Sequence, residues 1–205
     1  MKRILYIVGI SCLIVLLFFL CFYYKKNNIG NNIDRKDENK VINHILEDFR
    51  TYEAEVEVRV YSNKTENEYK IKQVCNTEKS YQEINEPEEL KGIYIELEHE
   101  KLTVGNSKQN IKKIYEKYNN ILNNSLFLNV FIQEYKSNDT KEKSRYYEEN
   151  DNYIMEVNLD ENFNTYAKTK KLYINKKSKK PEKLEIYDNA KNIKVCIIYN
   201  YIEIK

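Results

Sequence analysis

Residues 52–73 read YEAEVEVRVYSNKTENEYKIKQ. Tyr52, Ala54, Val56, Val58 and Val60 alternate with Glu53, Glu55, Glu57 and Arg59, the period of a strand with one buried side. The turn-forming stretch SNKTEN and a second alternating run make this a hairpin. Further strand-like runs follow. Tyr69, Ile71 and Cys75 share one side, residues 79–85 alternate more weakly, and Ile93, Ile95 and Leu97 share a face. A turn at His99 and Glu100 leads to Leu102 and Val104, and Gly105-Asn106 is expected to end that hairpin. Later in the chain, residues 145–149 read as a polar edge strand. Tyr153, Met155, Val157 and Leu159 are in phase, then Leu172 with Ile174, Leu184 with Ile186, and finally Ile193, Val195, Ile197, Tyr199 and Tyr201.

Two stretches carry the helical period instead. Val41, Ile42, Ile45, Leu46 and Phe49 form one stripe, with Asp37 as N-cap and Lys40 where a capping box would place Glu. Leu126, Phe127, Val130, Phe131 and Tyr135 form the second, behind Ser125 as N-cap. Between the strand sets, Ile111, Ile114, Tyr115 and Tyr118 fit a helical or irregular connection. Each large apolar side chain contributes roughly 1.5–3 kcal/mol when buried, so both stripes are expected to cover the valine side of the sheet. The fold class predicted is α+β: an N-terminal transmembrane helix, then a curved antiparallel sheet of about nine or ten strands with helices on one face and the other face solvated.

The transmembrane element is read from residues 1–26. Lys2 and Arg3 precede 21 uncharged residues, and Lys25 and Lys26 follow. As a helix that run spans about 30 Å. Tyr23 and Tyr24 fall where interfacial aromatics belong. No A-x-A cleavage pattern follows, which favours an uncleaved signal anchor. The other reading is a lipoprotein signal with Cys21 as lipid anchor, although Phe18, Phe19 and Leu20 precede it. Cys12 follows Gly9, Ile10 and Ser11, but cleavage there would leave LIVLLFFLCFYY on the mature chain. Residues 27–37 are a polar linker, and residues 38–205 form an extracytoplasmic domain.

Composition narrows the function classes. Charged residues make up 32% of the 205, yet the net charge is +2 and the signs are interleaved, so no basic stripe for nucleic acid exists. Cys75 and Cys196 lie in strand-like runs; a single bridge between them and two buried free thiols are both open, the latter being commoner. No CxxC, zinc spacing, GxSxG, HExxH or phosphate loop is present, so no catalytic residue, metal or cofactor is assigned. His44 and His99 read as surface or edge histidines, and Cys75 with His99 would form a dyad only if strands brought them together. The paired carboxylates of EPEE and LEHEK, and the acidic residues on the outer strand faces, read as solvated charge. Nineteen tyrosines and no tryptophan suit half-buried strand positions; exposed tyrosines would favour a protein partner.

Taken together, YEAEVEVRVYSNKTENEYKIKQ, EPEELKG and NNSLFLNVFIQEY resemble the clostridial spore germination lipoprotein GerS and its relatives over residues 38–205, within the broader LolA/LolB-like half-barrel group. The resemblance implies a non-enzymatic role in spore formation, in the spore intermembrane space. Such proteins bind the cortex amidase CwlD, a zinc enzyme, and enable it to make muramic-δ-lactam. The partners implied are the membrane and a cell-wall amidase, with a homodimer also open. No partner-contact residue carries over, and the family's anchoring cysteine is matched only by Cys21. The alternative is an anchored acceptor or carrier of an acyl ligand, which a cavity lined by Ile, Leu and Phe would favour and a face filled by Leu126, Phe127 and Phe131 would disfavour.

Overall fold

Alternation of the kind seen after residue 52 needs partners on both sides, and in the computed structural model it finds them. The structure describes residues 42, 44–117, 126–137, 143–159 and 167–205. The chain divides into two units, Met1–His44 and Ile45–Lys205, and the second holds the architecture described below. A helical segment at residues 45–48 buries Ile45, Leu46 and then Phe49. The strands are β1 (Tyr52–Tyr61), β2 (Glu66–Cys75), β3 (Lys79–Glu86), β4 (Ile93–Glu98), β5 (Lys101–Asn106) and β6 (Ile111–Tyr115). After the helix Leu128–Ser137 come β7 (Ser144–Glu149), β8 (Asn152–Asn158), β9 (Thr169–Asn175), β10 (Pro181–Tyr187) and β11 (Ile193–Ile204).

All eleven strands form one sheet in the order β6-β5-β4-β3-β2-β1-β11-β10-β9-β8-β7. Two meanders therefore meet where the first strand pairs antiparallel with the last, Val58 opposite Ile197. The backbone closes this seam further with Lys205 N–H donating to the Thr51 carbonyl at 2.9 Å. Across five strands, Met155, Leu172, Leu184, Ile197 and Val58 lie side by side, and all are buried. That row is the centre of the core. Burial thins toward β6, every residue of which is exposed.

Three expectations need correction. Among the described residues no helix is long and apolar enough to cross a membrane. The helix Leu128–Ser137 has 10 residues and carries Glu134 on its buried side, and at about 1.5 Å per residue it reaches half the hydrocarbon thickness. The architecture is thus a large antiparallel sheet with few helices, not a transmembrane helix followed by a nine- or ten-stranded half-barrel. The predicted span at residues 1–26, Cys21 within it and the linker 27–37 lie outside the described residues. The extra strand is β6, where Ile111, Ile114 and Tyr115 suggested a helical or irregular connection. Gly105 does not end a hairpin but lies inside β5 opposite Tyr94; a Cβ there would stand 2.5 Å from the Tyr94 ring.

A disulfide between Cys75 and Cys196 is excluded by topology. Cys75 pairs with Tyr52 and Cys196 with Arg59, residues on opposite faces of β1. Both thiols are free and buried.

Candidate functional site

The helix Leu128–Ser137 defines which face of the sheet is covered. Its entry is fixed by polar groups of β1, β2 and β3 set among apolar neighbours. Leu128 N–H donates to the Tyr52 hydroxyl at 3.1 Å, satisfying an N–H that a helix start leaves without an intrahelical partner. The same hydroxyl donates to Gln73 Oε1 at 3.3 Å, and Gln73 Nε2 donates to the Leu126 carbonyl at 3.3 Å. Asn129 Nδ2 donates to Ser80 Oγ at 2.8 Å. Ser125, the expected N-cap, lies outside the described residues.

Farther along, Glu134 reaches Lys170 of β9. The ammonium donates to both carboxylate oxygens, at 2.8 and 2.7 Å, and Lys170 is 1% exposed. Burial pushes the Glu134 carboxyl above its usual range and the Lys170 ammonium below its own; the attraction between them opposes both shifts. The pair fixes the second half of the helix as Tyr52 and Gln73 fix the first.

Phe127, Val130 and Phe131 are buried, and Tyr135 is half-buried with its ring stacked on Phe131, centroids 6.1 Å apart. Leu126 is half-buried and borders a groove of about 190 Å³ on the same face, walled by Val58, Ile71, Ile84, Ile93 and Ile95. Tyr69 and Gln82 are its polar members and no charged side chain lines it, so it suits an apolar group. Among the described residues no group of three or more His, Cys, Asp or Glu could hold a metal ion. The Cys75–His99 dyad gains no support. Burial pushes the Cys75 thiol up to about 11, so it stays protonated at neutral pH, and His99 sits at the exposed β4–β5 turn.

The far face differs from the solvated surface expected. Arg145, Glu156, Lys171, Glu185, Cys196, Arg59 and Glu68 stand opposite one another from β7 to β2. Arg145 Nη2 lies 2.6 Å and Lys171 Nζ 3.3 Å from Glu156, which is 3% exposed. Lys183 Nζ lies 2.6 Å from Glu185, which is 5% exposed and also accepts from the Tyr187 hydroxyl. Lys183 sits 4.2 Å from the Tyr173 ring centroid and Lys171 5.2 Å from that of Tyr187.

Sequence reasoning passed over Gln73, Glu134 and Lys170. A signal was available: Gln73 lies in phase with Ile71 and Cys75, Lys170 with Leu172 and Ile174, and Glu134 follows Val130 and Phe131 at helical spacing. Polar residues at apolar phase positions are buried partners more often than accidents.

A chain in the structure of the CwlD amidase from Clostridioides difficile in complex with the GerS lipoprotein aligns at 23% identity and a TM-score of 0.53, covering 85% of this chain and 98% of that one. An uncharacterized conserved protein from Thermus thermophilus aligns at 10% identity and a TM-score of 0.51, covering 82% and 88%. A LolA superfamily protein from Nitrosomonas europaea aligns at 15% identity and a TM-score of 0.40, covering 80% and 93%. At these identities the likeness is one of fold. No curated protein matches the sequence. The family model described as sporulation protein YdcC-like matches residues 3–204, and the chain belongs to that family of sporulation proteins.

Proposed function

We propose that this chain is a non-catalytic binding protein of spore formation, tethered outside the cytoplasmic membrane through residues 1–26, whose sheet domain docks and enables a cell-wall amidase. The observation that carries the reading is the sporulation-family match over residues 3–204. The fold likeness to a chain from the complex of an amidase with a lipoprotein supports the choice of partner. The site chemistry is compatible: an apolar groove and a clamped helix offer surfaces for binding, and the buried Cys75 thiol is held protonated. The experiment is capture from sporulating cells with the full-length chain as bait, followed by mass spectrometry. Enrichment of an amidase, with no peptidoglycan cleavage by the chain alone, is the expected result. Absence of any wall hydrolase, or turnover by the purified chain, rejects the reading.

The groove favours a second reading, an anchored acceptor of an acyl group. Its walls suit such a ligand, but about 190 Å³ is below the roughly 300–1,000 Å³ of ordinary ligand pockets. Of Leu126, Phe127, Val130 and Phe131, Leu126 alone lines it, and a space of that size suits a short apolar group.

A further inference from the structure

The helix Leu128–Ser137 has a flank of which Asn129 alone takes part in fixing its entry, through Ser80. Asn129, Ile132, Gln133 and Lys136 recur at the spacing of one helical stripe. They face the β2–β3 turn at Asn76 and Thr77 and the side chain of Arg50, enclosing a pocket of about 280 Å³. Its character is the opposite of the apolar groove. Two cations, Arg50 and Lys136, line it together with amide and hydroxyl side chains, and no carboxylate does. The acid nearest to Arg50 by ion pairing, Glu47, is 3.9 Å away with both side chains largely in solvent, a contact too loose to neutralise the guanidinium.

The polar groups are not used up by the fold. Asn76 Oδ1 accepts from the Glu78 and Lys79 N–H groups at 2.9 and 2.7 Å, which closes the turn and leaves its Nδ2 as a donor. Asn129 gives its Nδ2 to Ser80, while its buried Oδ1 has no hydrogen-bond partner. A shielded acceptor without a donor has lost its water and gained nothing in return, which is unfavourable. That oxygen is shielded from the pocket while the Nδ2–Ser80 bond holds the amide in place, so Asn129 lines the pocket without pairing to a ligand. Ile132, buried at the floor, offers the apolar contact.

The set matches a carboxylate for Arg50 and Lys136, a carbonyl for the amide N–H groups of Asn76 or Gln133, and a small side chain against Ile132. We propose that this pocket binds the C-terminal residue of a peptide. The proposal stands on the pocket itself and is independent of the amidase reading.

Calorimetric titration of the full-length chain tests it, with N-acetyl-L-alanine as probe and N-acetyl-L-alaninamide, acetate and inorganic phosphate as comparisons. Saturable binding of the probe is expected, weakened about tenfold or more when the carboxylate is capped as the amide. The same loss is expected in Arg50→Ala/Lys136→Ala and in Gln133→Glu, all exposed positions whose replacement leaves the melting temperature unchanged. No saturable binding, unchanged affinity in either variant, or acetate or phosphate binding as tightly as the probe overturns the proposal; the last result marks an adventitious anion pocket.

Discussion

Glu185 shows how a residue on the far face of the sheet holds a charge with little water around it. Burial alone raises the pKa of a carboxyl, but hydrogen bonds from Lys183, Tyr187 and Tyr173 outweigh it and hold Glu185 below the usual range. The folded value then lies below the unfolded value of about 4.3, so the group stabilises the fold above that pH and the contribution is lost as pH falls through the folded value. Tyr187→Phe removes one donor. It should lower stability at neutral pH by about 1–3 kcal/mol and move the acid-unfolding midpoint, followed by circular dichroism, to higher pH. Tyr201→Phe, at an exposed ring hydrogen-bonded to Glu203, should leave the midpoint in place. Equal midpoints in the two variants would refute this account. The sequence showed which face Glu185 occupies, because alternation sets sidedness. It did not show that Tyr173, Tyr187 and Lys183 roof it, because that depends on strands brought together from a distance.

At the scale of elements, the helix Leu128–Ser137 is held by polar contacts at both ends, and the two ends make separable demands. Lys170→Met leaves the Glu134 carboxylate buried without its ammonium and should cost about 3–5 kcal/mol in urea unfolding. Glu134→Leu/Lys170→Met removes both charges and should recover most of that loss; a double variant as unstable as the single one would show that the pair is not the source. The helix was readable because its apolar stripe faces a core. Strand β6 was not readable, for a physical reason. Ile111 and Ile114 lie on opposite faces of the strand, 58% and 42% exposed. An edge strand that buries neither face gains nothing from alternation, so its apolar residues fell at spacings that imitate a helix.

The molecule as a whole has a steep gradient of protection. Strands β1, β9, β10 and β11 share the buried row through Leu172, Leu184, Ile197 and Val58, whereas β6 has no buried residue. Amide exchange should be slowest in those four strands and fastest in β6; uniform protection across the sheet would contradict the single-core arrangement. The meander was legible from strand spacing, but the joining of its two halves was not, since nothing local marks β11 as the partner of β1. That pairing also sets the order of events at birth. The ribosome delivers β11 after the other ten strands, so until residues 193–204 emerge, the nascent chain carries two unfinished half-sheets whose β1 and β10 margins lack their partner. A stop codon within codons 193–204 would therefore not merely shorten one strand but sever the sheet down its middle.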